Sequence, residues 1–259
     1  MQRHSSFLSS ALISGMALAL ITGCGHKQPQ VVYAPPPPVL APPPASAPAP
    51  SSLPPAVSSP TGPVADSQMD AEYVATHSPV WTESGMASWY GPPYHNHMGA
   101  NGKIFDQNMV SAAHRTLPMG SLIKVTNMST GQSAVMRVTD RGPFVPGRVL
   151  DLSEGAAKEV GVWRPGTANV RIDVYETPKP MDEGGRWCVQ IGAFTHEKEA
   201  LRLEEHLERK YQTANVIEFT GPTGHWVRIR PANDDRERAV EIAHELKPVE
   251  GDAYLVRLD

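Results

Sequence analysis

The chain has 259 residues, 40% of them hydrophobic, with 26 prolines, two cysteines and a formal net charge of -4. That weak acidity, without a basic stripe in any segment, excludes a nucleic-acid backbone as partner. With only Cys24 and Cys188 present, the folded part must rest on hydrophobic cores rather than on a disulfide framework.

Residues 1–23 read as a targeting segment. A basic start at Arg3 precedes an apolar run from Ala11 to Thr22, interrupted by Ser14 and Gly15. The run is short for a membrane span and fits the core of a secretory signal. It ends Leu20-Ile21-Thr22-Gly23-Cys24, which resembles a bacterial lipobox. The resemblance implies lipidation of Cys24 and hence a membrane anchor. Gly25, rather than Asp, after the cysteine implies the outer membrane.

Residues 24–79 read as a lipidated N-terminus followed by a proline-rich disordered tether. Half of the 26 prolines fall between Val31 and Pro63. Each removes an N–H donor and fixes φ, so neither helix nor sheet forms there. At ~3.1 Å per residue such a tract reaches on the order of 100 Å. A domain so tethered can work on something standing off the membrane.

Residues 80–176 carry short β-prone runs, LIKVTN (Leu122 to Asn127) and SAVMRVTD (Ser133 to Asp140), punctuated by Gly and Pro. The pattern predicts a small all-β barrel with polar residues in loops and at strand ends. TPKPMDEGG (Thr177 to Gly185) reads as a second linker, bounded at 177–184. Residues 185–259 read β-α-β-β-α-β, beginning with the strand Trp187 to Phe194. Ala200, Leu203, Leu207 and Tyr211 recur at helical spacing behind an expected N-cap at Thr195. Ala239, Ile242, Ala243 and Leu246 mark a second helix, with Asp234 and Glu237 as a capping box. The expected fold is a four-stranded antiparallel sheet with both helices on one face.

Strand alternation sorts this sheet. Val189, Ile191, Val227 and Ile229 face the helices, leaving Cys188, Gln190, Trp226, Arg228 and Arg230 on the open side. A Trp, a Gln and two Arg on an exposed sheet suit a sugar polymer. GRWCVQIGAF and the helix after it resemble a SPOR domain. That resemblance implies binding of peptidoglycan glycan strands stripped of stem peptides, with Gln190, Trp226, Arg228 and Arg230 as the contact set.

The barrel segment contains ASWYG (Ala87 to Gly91), ANGKIFD (Ala100 to Asp106), AAHRTLP (Ala112 to Pro118), DRGP (Asp140 to Pro143) and GRVLDLS (Gly147 to Ser153). In this order they resemble the rare lipoprotein A family, a double-psi β-barrel related to expansins and some lytic transglycosylases. Signal, linker, barrel and terminal SPOR domain in sequence match that family's architecture. The resemblance implies an endolytic lyase that acts on denuded glycan at the division septum. It also implies a periplasmic station on the outer membrane and division proteins as candidate partners.

Such a lyase needs one carboxyl group, first as acid to the leaving oxygen and then as base to the muramyl C6 hydroxyl. Asp140, ending a β run before a Gly-Pro turn, is the leading candidate. Asp106 is second, and His114 is a candidate partner to a carboxylate or sugar. Trp89 and Tyr90 are placed either in the cleft or in the core, and Asp151 is read as structural, a cap before a helix from Ser153 to Val160. His95 and His97 lack further ligands, so neither metal nor cofactor is expected. One departure stands out. Active members carry Glu where this chain has Lys103, and Thr where it has Gly99. A lysine with a pKa of about 10.4 is a poor acid at neutral pH, and its charge would lower the pKa of Asp106 or Asp140. The alternative is therefore a cell-wall-binding lipoprotein with an impaired site.

Overall fold

A computed structural model describes residues 63–222, 224–246 and 252–259. The expected signal, Cys24 and the proline tract before Pro63 lie outside the described residues. The first described element corrects the tether assigned to residues 24–79. Helix α1 (Pro63–Thr76) occupies its last stretch. From Val64 to Thr76 the chain has no further proline and no glycine. Proline is also well suited to the first helical position, where its missing N–H leaves no bond unmade. The helix is fastened to the barrel by Asp70, which takes a two-pronged pair from Arg137, with Nε to Oδ2 at 2.9 Å.

Six strands close a barrel: β1 (Trp81–Tyr90), β2 (Ser111–Ala113), β3 (Leu122–Asn127), β4 (Ser133–Asp140), β5 (Arg148–Ser153) and β6 (Thr167–Glu176). Their order around it is β1-β5-β2-β4-β3-β6. β1 runs parallel to β5 and β2 parallel to β4, while the other pairings are antiparallel. Alternation along β4 sends Ala134, Met136 and Val138 inward. Asp140 is the next residue on that inward register, so the strand's own period buries a carboxyl group at the barrel end. Helix α2 (Glu154–Val160) plugs the barrel flank, with Ala156, Ala157 and Val160 in the core. Its start lies so close to the loop before β2 that a Cβ on Gly155 would stand 2.3 Å from the Asn108 carbonyl. Its N-cap is Ser153, whose Oγ accepts from the Ala156 N–H. Asp151, expected as a cap, is instead fully buried and accepts from the Ser88 hydroxyl.

The second domain holds β7 (Trp187–Phe194), α3 (Glu197–Lys210), β8 (Asn215–Gly221), β9 (Gly224–Arg230), α4 (Arg236–Glu245) and β10 (Ala253–Arg257). Its sheet has the order β10-β7-β9-β8, all antiparallel. Val189, Ile191, Val227 and Ile229 pack with Ala200 and Leu207 of α3 and with Ala239 and Ile242 of α4. Two expected caps differ. His196, not Thr195, precedes α3, without a side-chain cap bond. Asp235, not Asp234, caps α4 and accepts from Arg238 N–H. The Asp234 carboxylate is taken up by Arg186 and Arg230.

The face opposite these helices carries the residues that alternation assigned to it, but it is not open. Gln190 and Trp226 are fully buried and Arg228 is 5% exposed. The cover is the barrel. Phe144, in the loop after β4, lies 5.2 Å centroid to centroid from Trp226 and 5.7 Å from Tyr254, and it clusters with Cys188 and Val256. Sequence alternation fixes which side of a sheet a residue takes, but the approach of a second domain lies outside its scope.

Candidate active site

Asp140 sits 2% exposed at the wall of a cleft of about 220 Å³. The cleft is walled by the ANGKIFD loop, by Met109 to Ser111, and by Thr139 and Asp140. Both backbone donors near the carboxyl group, Ala100 N–H at 3.0 Å and Arg141 N–H at 2.8 Å, reach the same oxygen, Oδ1. Oδ2 faces Gly99, where a Cβ would stand 3.5 Å away. The glycine therefore leaves Oδ2 uncrowded.

Burial is the largest influence on this acid and raises its pKa to about 7, against the pull of the two N–H groups and the Arg141 charge, with Asp151 pushing the same way as burial. The cation that works on Asp140 is thus Arg141, the next residue, in place of the expected Lys103. Lys103 itself is exposed at the cleft rim. At neutral pH Asp140 is divided between its protonated and charged forms, which suits a group that must first give a proton and then take one.

Asp106 lines the same cleft, but its carboxylate is committed locally. Oδ1 accepts from the backbone and side chain of Asn108, and His95 Nδ1 stands 3.6 Å away. This is a turn-capping arrangement on a half-exposed side chain.

His114 is buried and turned away from both acids. Its Nδ1 accepts from the N–H groups of Thr116 and Leu117, at 3.2 and 3.0 Å. A backbone N–H can only donate, so the proton of the neutral ring lies on Nε2, which is 3.1 Å from Glu83 Oε2. Burial holds the His114 pKa below its ordinary value, with Glu83 opposing. The ring thereby orders the loop whose carbonyls grip Arg141. Nη1 of that arginine donates to His114 O and Leu117 O, at 3.0 and 2.7 Å. The His114 N–H returns to Asp140 O. A continuous set of bonds thus joins Glu83, His114, Arg141 and Asp140. Sequence reasoning missed Glu83 and Arg141. Arg141 stood inside the DRGP motif, but Glu83 lies on β1, distant in sequence from everything it serves.

Tyr90 belongs to the core, stacked on Phe105 at 4.5 Å and edge-on to Tyr94, and Trp89 packs against the barrel interior. No cluster of three or more metal-ligating side chains occurs among the described residues.

A closed barrel with two parallel strand pairs, an acid at its open cleft and an appended α+β sheet define a double-psi β-barrel protein joined to a SPOR domain. Residues 82–172 match the family model described as lytic transglycolase, and residues 183–257 match the SPOR domain. An endolytic peptidoglycan transglycosylase RlpA of Vibrio cholerae is 41% identical over 162 residues, covering 60% of this chain and 61% of the relative. A probable endolytic peptidoglycan transglycosylase RlpA of Synechocystis is 53% identical over 94 residues, or 36% of this chain and 29% of the relative. The RlpA of Campylobacter jejuni is 39% identical over 137 residues, 44% and 50% of the two chains. The chain thus spans less than two thirds of the length of each of these relatives. It carries a lytic transglycolase domain and a SPOR domain, and it resembles these RlpA relatives over part of its length.

Proposed function

We propose that this protein is an endolytic peptidoglycan transglycosylase that cleaves stem-peptide-free glycan strands. The observation that carries this is Asp140: a buried acid, lifted to about pKa 7, with one oxygen fixed by two N–H donors and the other at the cleft. The protonated Oδ2 gives its proton to the glycosidic oxygen as the C1–O bond breaks. The muramyl C6 hydroxyl then attacks C1, and its proton passes to the Asp140 carboxylate. The acid is regenerated and the product is a 1,6-anhydro end, with no water consumed. The names of the relatives support the same chemistry.

Lys103 favours a second reading, a cell-wall binder without turnover, because the family's usual Glu is missing from the cleft. Under either reading we place the chain in the cell envelope, anchored through a lipidated Cys24 on the periplasmic face of the outer membrane. The SPOR domain would direct it to denuded glycan at the septum, alongside division proteins. Gln190, Trp226, Arg228 and Arg230 are the proposed glycan contacts, and Asp140, with Asp106 and His114 in support, the proposed chemical set.

The test is to incubate the chain after Cys24 with amidase-treated peptidoglycan and identify released fragments by mass spectrometry. Anhydro-ended fragments that vanish with Asp140→Asn establish the lyase. Binding without release, with turnover gained by Lys103→Glu, establishes the impaired binder.

A further inference from the structure

The covered sheet of the second domain is a poor resting place for the groups it buries. Trp226 receives an apolar neighbour, Phe144, but its indole N–H finds no acceptor. The Nε2 of Gln190 and the Nε of Arg228 are likewise buried without partners. Arg228 bonds Gln190 Oε1 at 2.8 Å and lies over the Phe219 ring, and it forms no ion pair among the described residues. A buried cation without a carboxylate and three orphaned donors on one face all weaken the contact that hides them. All are donors, and a polymer of hydroxyl and acetamide oxygens supplies the acceptors they lack.

The covering segment is the chain directly after Asp140. Phe144 supplies the ring, and Arg141 Nη2 donates to the Asp259 carbonyl at 2.8 Å. The end of β10 is tied alongside through Arg257 N–H to Arg115 O and Met119 N–H to Asp259 O.

We propose that the Trp226, Gln190 and Arg228 face has two mutually exclusive partners, the Phe144 loop of its own barrel and a glycan strand. Phe144 acts as a latch, and capture of glycan by the sheet releases the segment that follows Asp140. This rests on the glycan-binding reading above and adds the competition to it. A latch closed in about nine molecules of ten would set apparent affinity for glycan about tenfold below that of the open face.

The experiment uses the chain after Cys24, wild type and Phe144→Ala, with amidase-treated glycan chains as probe. Binding isotherms are combined with hydrogen exchange on the wild-type protein. The expected result is about tenfold tighter binding by the variant. In the wild type, glycan should slow exchange in β7 and β9 and speed it in residues 141–147. Should Phe144→Ala fail to fold, the wild-type exchange pattern decides alone. Measurable binding that leaves residues 141–147 as protected as before, with equal affinities where both chains fold, overturns the latch and leaves glycan binding standing. Absence of binding by every folded chain overturns both.

Discussion

The burial that makes Asp140 costly to the fold also suits it to the proposed chemistry. Its folded pKa, about 7, lies above the ordinary 3.8, so the folded state holds a proton that the unfolded chain gives up. The stabilising contribution is full below the ordinary value and is lost as pH rises through about 7. Asp140→Asn keeps an oxygen for the Ala100 and Arg141 N–H groups and carries no charge. We expect turnover to fall by roughly 10²–10⁴ and thermal stability at pH 8 to rise by about 2–4 kcal/mol, with a smaller gain at pH 5. Wild-type turnover should decline about tenfold per unit above pH 7, as the protonated acid is depleted. His114 runs oppositely. Its pKa is depressed, so its contribution is present above about 6.5 and is lost as pH falls, because the unfolded ring takes up the proton that the buried one refuses. Glu83 is a positioning residue in this scheme. Glu83→Ala leaves a buried ring N–H without its acceptor and should lower kcat on the order of tenfold with KM unchanged. Glu83→Gln still offers an oxygen and should restore most of it.

At the scale of elements, α1 is the least integrated piece of the described chain. It is held mainly by Asp70 on Arg137, a partly exposed pair, and by Val74. Asp70→Ala should cost no more than about 1 kcal/mol in global unfolding. Protease cleavage within Pro63–Thr76 should nevertheless quicken several-fold, as followed by mass analysis of the fragments, while the barrel transition stays in place. The helix also marks a limit of sequence reasoning. Proline chemistry argues against regular structure from Val31 to Pro63, but it says nothing of the Ala- and Asp-containing stretch after it, which is fastened to an arginine on β4. The strands were legible because period-2 alternation is local, and the same alternation placed Asp140 at a strand end. The helix faces of the second domain were legible for the same reason, through their 3.6-residue period. The cap positions slipped by a residue or two, since neighbouring Thr195 and His196, or Asp234 and Asp235, differ only in which partners they meet. His114 illustrates the rest: its residue type suggested chemistry at the cleft, and only the fold brings Glu83 and two backbone N–H groups to its ring.

For the molecule as a whole, Asp259 gathers the domains together. Its carboxylate accepts from Lys179, Arg257 and the Arg186 N–H, and its carbonyl accepts from Arg141 and Met119. Those cations and hydrogen bonds hold its pKa well below the ordinary carboxylate range. The stability it supplies is present above about 3.8 and is lost as pH falls below that. Asp259→Ala leaves the buried Arg257 with only backbone carbonyls. It should lower the unfolding free energy by about 2–3 kcal/mol at pH 7, a difference that shrinks toward pH 3, as read by denaturant titration. Asp140 and Arg141 share one peptide unit, yet one side chain serves the cleft and the other is gripped by a barrel loop and the second domain. In a selection for inactive mutants, position 141 would score like a reacting group although its guanidinium lies in the domain contact. Its suppressors would collect among the codons for β10 and Asp259.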